Sequence, residues 1–416
     1  MTFARTLEID SKLLTDELAA LAQISEAVSP VVTRIVFSEA DLRARSFVKQ
    51  LATDAGLTVS EDAVGNTFLR WAGSEPELPA VASGSHIDAI PNAGAYDGTV
   101  GVLGGLEAIR ALKRAGFEPR RSIELVLFTS EEPTRFGIGC LGSRMMGGVL
   151  TAERALALRD KDGRGLEELR TAAGFSGDLA SVALEKGHYH AFVELHIEQG
   201  PLLERDGIDL GIVTHIAAPA SLRVLVEGEG GHAGAMLMPD RRDALTAAAE
   251  LILALEEAAK TSCAVDTVAT VGVCEVFPGA VNSVPSRVRL ETDIRDTDGR
   301  RRDRVIEILK DTAAEVAKRR GVAISFEMVN ADPPAASDPA ILAAIHEAVV
   351  ASGHSSQTMV SRAYHDSLFV ARFAPVAMIF TPCRGGVSHR PDEYASPESI
   401  AKGVEVLAST LASLAS

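Results

Sequence analysis

Apolar residues recur at the helical period over 11–24 and 38–55, and the second stretch opens on Ser38-Glu39-Ala40-Asp41, a cap with an acidic first turn. Both predict covering helices. The stretch 57–71, broken at Gly65-Asn66, predicts a hairpin. Short, mostly apolar runs at 80–83, 123–128 and 192–195 have the pattern of strands buried on both faces. A helix is predicted over 98–115, where Gly101, Gly104 and Gly105 allow close approach to a sheet. This alternation continues to Gly200 and predicts an α/β fold with a largely parallel sheet.

Between 221 and 330 the order changes to strand 221–229, helix 240–260, strands 267–276 and 286–295, helix 300–320 and strand 323–329. That βαββαβ order is ferredoxin-like. After Asp332-Pro333-Pro334, a helix at 339–351, strands at 359–361 and 376–381 and a closing helix at 397–414 resume the first pattern. The expected organisation is an α/β catalytic domain, 1–214 and 331–416, interrupted by an inserted domain, 215–330.

The chain has 416 residues, 46% of them hydrophobic, enough for two cores. Its 57 acidic against 41 basic residues, net charge −16, argue against a nucleic-acid or anionic-membrane partner and for small molecules. Residues 1–10 hold no apolar signal-type run, and no later run is long enough to span a bilayer, so neither a signal peptide nor an anchor is expected and cytoplasm is the default. Cys140, Cys263, Cys274 and Cys383 form no Cys-x-x-Cys pair and read as small buried residues in a reducing compartment.

Three predicted strands finish in metal-ligand residue types: His86 and Asp88 after 80–83, Glu131-Glu132 after 123–128, and His196 after 192–195. A Gly/Pro/Asn loop then delivers Asp97 to the next helix. In open α/β sheets, ligands bind beyond the carboxyl ends of strands, so these residues belong to one crevice. The candidate ligand set is His86, Asp97, Glu132, His196 and His389, the last in the glycine-rich loop after 376–381. Imidazoles and carboxylates without thiolates suit Zn, Mn or Co. Five ligands with one bridging carboxylate would hold two divalent ions about 3.5–4 Å apart. Asp88 is placed to orient the His86 imidazole. Glu131, directed away from Glu132 by strand alternation, is the candidate general base.

Taken singly, Asp97 reads equally well as a helix cap and Glu131 as a surface partner of Arg135; only the set points to chemistry. His188, His190, His346 and His354 read as surface histidines. Gly137-Ile138-Gly139-Cys140-Leu141-Gly142 matches a dinucleotide-binding fingerprint and would imply an oxidoreductase. The polar stretch 131–136 separates it from the strand, and Asp160 and Asp162 lie in a polar loop, so a turn and helix-packing role is the better reading.

Six ordered motifs, Gly84-Ser85-His86, Tyr96-Asp97-Gly98, Glu131-Glu132 with Arg135-Phe136, Glu194 to Gly200, Gly231-His232-Ala233-Gly234 and Ser388-His389, resemble the dinuclear metallo-amidases related to aminoacylases. Within them the chain resembles the branch of N-carbamoyl-L-amino-acid hydrolases, allantoate amidohydrolases and ureidoglycolate amidohydrolases. The resemblance implies hydrolysis of a linear ureido or amide C–N bond, an inserted lid that dimerises, Glu131 as base and Asp97 as bridging ligand. It also implies substrate contacts from Gln199, His232, Asn282 and Arg295, with His232 reaching the partner subunit's site. The planar fork of Arg295 suits a substrate carboxylate, and an ion pair with Asp293 or Asp296 is its alternative. Ser361-Arg362-Ala363-Tyr364-His365-Asp366 departs from the carbamoylase pattern and is most similar to the ureidoglycolate branch, which adds Arg362, Tyr364 and His365 as substrate contacts and Asp366 as a supporting carboxylate. A carbamoylase, an aminoacylase or peptidase, and a non-catalytic scaffold are the competing readings.

Overall fold

The strand Ile123–Phe128 is buried at every position, Leu125 and Leu127 in one hydrophobic cluster and Val126 and Phe128 in another, so the sheet it belongs to is covered on both faces. The computed structural model describes residues 7–416. The chain forms two compact units: one runs to Thr214 and resumes at Ala336–Ser416, and the other is His215–Ala335.

The first unit is built on a nine-stranded sheet. Its centre is parallel, in the order Val376–Thr381, Tyr189–Ile197, Ala80–His86, Ile123–Phe128. Its edges are antiparallel: Leu210–Ile216 pairs with Val376–Thr381, and Thr67–Trp71, the second arm of the predicted hairpin, pairs with Ile123–Phe128. The helices Thr99–Arg114 and Pro397–Ala415 bring Leu103, Leu106, Val404, Leu407 and Leu411 into the first cluster. A Cβ on Gly101 would stand 2.4 Å from the Leu195 carbonyl oxygen, so glycine is required for that helix to lie this close to the sheet.

Two expectations change. The stretch after His86 is not simply loop, because Ala89–Ala93 forms a short ribbon with Val32–Arg34. Buried Arg34 secures it, donating to the carbonyls of Ile87, Leu21 and Ile24. Of the four cysteines, all free, Cys140 and Cys383 are buried but Cys263 and Cys274 are exposed on the second unit, Cys274 on the open face of the strand Val268–Phe277 and Cys263 in the turn before it.

The second unit has a four-stranded antiparallel sheet in the order Val268–Phe277, Arg287–Asp296, Ala218–Glu227, Ala323–Ala331. The helices Ala244–Lys260 and Gly299–Arg320 pack on one face over Leu222, Val224, Val226, Val288 and Leu290. This is the ferredoxin-like order. The unit ends at Ala335, since Arg302 still holds the Asp332 carbonyl. Among the described residues, no helix is long and apolar enough to cross a membrane.

Candidate active site

Parallel pairing sets His86 opposite Phe128 and His196 opposite Phe380, which brings the carboxyl ends of the four central strands to one edge. The residues that follow those ends converge there. Asp97 Oδ1 lies 3.2 Å from His196 Nε2 and 3.6 Å from His86 Nε2. Its other oxygen, Oδ2, lies 3.2 Å from His389 Nε2, which in turn is 3.3 Å from Glu132 Oε1. Two ligand groups result, His86, Asp97, His196 and Asp97, Glu132, His389, with the ligand atoms of each within 4.8 Å of one another. They share Asp97, one oxygen to each side.

The imidazoles fit a divalent ion. His86 Nδ1 sits 3.0 Å from the Asp88 carbonyl and His196 Nδ1 2.9 Å from the Ile197 carbonyl. With the proton on Nδ1, each Nε2 presents a lone pair toward Asp97. A third group, Glu194, His196 and His365, also has ligand-type atoms in range. There Glu194 is already committed, accepting from Ser85 on one oxygen and from Ser367 on the other, so it reads as a buried support behind His196.

Burial alone would raise the Asp97 carboxyl, but the imidazoles of His196, His389 and His86 hold it well below the usual carboxylate range. Asp97 and Glu132 in turn push His389 up to about 11. Burial is also the main cause for Glu131, whose carboxyl stands well above the usual range; Glu132, Asp366 and Asp97 add to it and His86 opposes. Glu131 Oε2 lies 3.8 Å from His86 Nε2, and Oε1 accepts from the Cys140 thiol at 3.5 Å. Burial, Glu131 and Asp366 raise that thiol well above its ordinary value, so it remains a donor.

Strand alternation does not set the directions of Glu131 and Glu132. The chain has left the strand and turns at Ser130, whose φ is 56°. Both backbone N–H groups then donate to the Asp88 carboxylate, at 3.1 and 3.0 Å. Asp88 therefore orients His86 through its carbonyl, while its carboxylate aligns the two glutamates. Arg135 does not take Glu131; it lies 3.6 Å from Asp160. Asp366 accepts from Ser143 at 2.5 Å and is raised to about 8 by burial and by Glu194.

Sequence reasoning missed Glu393. Its Oε1 accepts from the N–H groups of Tyr96 and Asp97 at 2.7 and 3.0 Å, and its Oε2 is 3.0 Å from Ser388 Oγ. Ser388 Oγ is also 2.6 Å from Asp97 Oδ2. In the sequence Glu393 stands only as an acidic residue shortly after His389, with no pattern that joins it to Asp97. Arg144 was also missed: its guanidinium stacks 4.1 Å from the Phe369 ring and donates to the Tyr364 hydroxyl at 3.2 Å.

The remaining candidates divide between the units. In the first, Gln199 donates to Asp97 Oδ2 at 2.7 Å, and its buried Oε1 has no hydrogen-bond partner among the described residues. His365 is buried with its ring 4.6 Å from that of His196, and Arg362 is half-buried just after the strand Ser356–Ser361. In the second, exposed His232 pairs in register with Ser283, and the Asn282 backbone carbonyl accepts from the Ala233 N–H, so the two residues meet in one short antiparallel ribbon. Arg295 is held bidentately by Asp293, at 2.7 and 3.1 Å. His188, His190 and His346 are exposed, and His354 pairs with Glu405.

Residues 82–413 match peptidase family M20/M25/M40. The chain belongs to this family. Among M20 relatives, ureidoglycolate hydrolase of Arabidopsis thaliana is 54% identical over 421 residues, all of this chain and 88% of that protein. N-carbamoyl-L-amino acid amidohydrolase of Geobacillus stearothermophilus is 38% identical over 408 residues, 98% of this chain and 99% of that one. The crystal structure of AtUAH in complex with glyoxylate superposes with a TM-score of 0.88 at 54% identity and covers 99% of both chains.

Proposed function

We propose that the protein is a two-metal amidohydrolase that cleaves a linear ureido C–N bond in a small carboxylate substrate, ureidoglycolate first and allantoate second. The observation that carries the metal reading is Asp97, whose two oxygens face two different ligand groups. His86, Asp97 and His196 would hold one ion and Asp97, Glu132 and His389 the other, as Mn, Zn or Co. When bound, the ions supply Lewis acidity, polarising a carbonyl and making water acidic near neutral pH.

The chain's own residues do the rest. Glu131 takes a proton from the attacking water at Oε2 and returns it to the departing nitrogen, which leaves as ammonia. Asp88 holds the backbone of Glu131 and Glu132. Glu393 and Ser388 hold the Asp97 loop. Gln199, with an unused amide oxygen beside Asp97, meets a ureido N–H. Arg295 binds the substrate carboxylate in exchange for Asp293, and Asn282 and His232 address its carbonyl. Arg362, Tyr364 and His365 supply polar contacts. In this reading the inserted unit is a lid that also dimerises the protein, and His232 serves the partner's site.

Relatives named ureidoglycolate hydrolase support the substrate class, and so does the polar set itself. Donors left unpaired against a large apolar side chain cost about 1–3 kcal/mol each. The expected order of kcat/KM is ureidoglycolate, then allantoate, then N-carbamoyl-methionine and N-carbamoyl-phenylalanine. A preference for the carbamoyl amino acids would make this protein a carbamoylase with an unusual pocket.

A further inference from the structure

The glycine run 137–142 has no part in the reaction as described, yet it is pressed against the segment that carries Glu131. Cys140 N–H donates to the Glu131 carbonyl at 2.7 Å, Leu141 N–H to the Ser130 carbonyl at 2.9 Å, and Gly142 N–H to the Thr129 carbonyl at 2.8 Å. A Cβ on Gly139 would stand 2.8 Å from the Glu131 carbonyl oxygen, and one on Gly142 2.8 Å from the Thr129 nitrogen. The two glycines therefore let the backbones close on each other on both sides of Cys140.

Cys140 itself adopts φ 54° and ψ 39°, the left-handed region in which an L side chain is strained and glycine is relaxed. Gly139 precedes it and Gly142 follows two positions on, but this position keeps a side chain. The thiol is 1% exposed and lies 3.5 Å from Glu131 Oε1. An observed backbone outlier beside a reacting group is the pattern in which strain is retained for function.

We infer that Cys140 is a positioning residue for Glu131, its thiol donating to Oε1 and turning Oε2 toward the metal-ligand groups. The backbone N–H of Cys140 fixes the Glu131 main chain, and the thiol fixes the far end of the same side chain. Held at both ends, the carboxylate presents Oε2, 3.8 Å from His86 Nε2, without a search among rotamers. This inference rests on Glu131 being the base.

The test compares Cys140→Ala, Cys140→Ser and Glu131→Gln in the metal-loaded enzyme with ureidoglycolate, recording kcat, KM, metal content and Tm. Cys140→Ala is expected to lower kcat about tenfold with KM and metal content unchanged, and Cys140→Ser, which keeps a donor, to recover about threefold or more of that loss. Cys140→Gly, which removes both the donor and the backbone strain, is expected to match Cys140→Ala in kcat and gives the same reading should the alanine variant not fold. Glu131→Gln is expected to lose roughly 10²–10⁴-fold in kcat. A severe loss in Glu131→Gln with Cys140→Ala at the wild-type kcat, or with serine no better than alanine, overturns the positioning role alone. Wild-type turnover in Glu131→Gln overturns the base assignment on which it stands.

Discussion

Asp97 collects more partners than any other site residue: three imidazoles, the Gln199 amide and the Ser388 hydroxyl meet its two oxygens, and Glu393 holds its backbone N–H. Its ligand-type companions were legible in the sequence because each follows a strand end or sits in a glycine-rich loop. Glu393, Arg144 and Cys140 were not. Glu393 reaches Asp97 across 296 positions, and no local pattern marks such a contact. Asp366 is the residue whose environment makes the clearest pH prediction. Its carboxyl is raised to about 8 in the folded chain by burial and Glu194, against about 4 when unfolded. Between these values the folded state binds the extra proton, so its contribution to stability falls as pH rises from about 4 to about 8 and is level above. In metal-free protein, the Tm of Asp366→Asn relative to wild type is expected to rise steadily over that window. A difference independent of pH would show that Asp366 ionises normally.

The elements place these residues through their ends. Strand register and helix spacing gave the central strands and main helices closely. The short ribbon Ala89–Ala93 escaped because Pro91, Asn92 and Gly94 carry turn signals, and its stability comes from distant Arg34. Pairing is also why the sheet's parallel character is confined to its centre: the hairpin at one edge and Leu210–Ile216 at the other run antiparallel. Gly98, which caps the helix Thr99–Arg114, shows how an element end and the site are joined. It has φ 66°, and a Cβ there would stand 2.5 Å from the His86 ring. Gly98→Ala is therefore expected to displace His86 and weaken metal binding about tenfold or more, read by titration against a chelator. Unchanged metal affinity would mean that His86 is not held against this turn.

At the scale of the whole chain, composition pointed to two cores and away from nucleic acid, and the βαββαβ order was readable within the second. His232 and Glu131 lie in different units of the chain. If His232 serves a partner's site, inactive His232→Ala mixed with inactive Glu131→Gln should regain up to about a quarter of wild-type activity through hybrid dimers. A fully active monomer in sedimentation would contradict it. The most direct test of the two-metal reading is a titration of chelator-treated protein with Mn, Zn or Co while ammonia release from ureidoglycolate is followed. Activity should be absent without ions and level off at about two ions per chain, with Asp97→Ala unable to recover. Full turnover in exhaustively demetallated protein would contradict it.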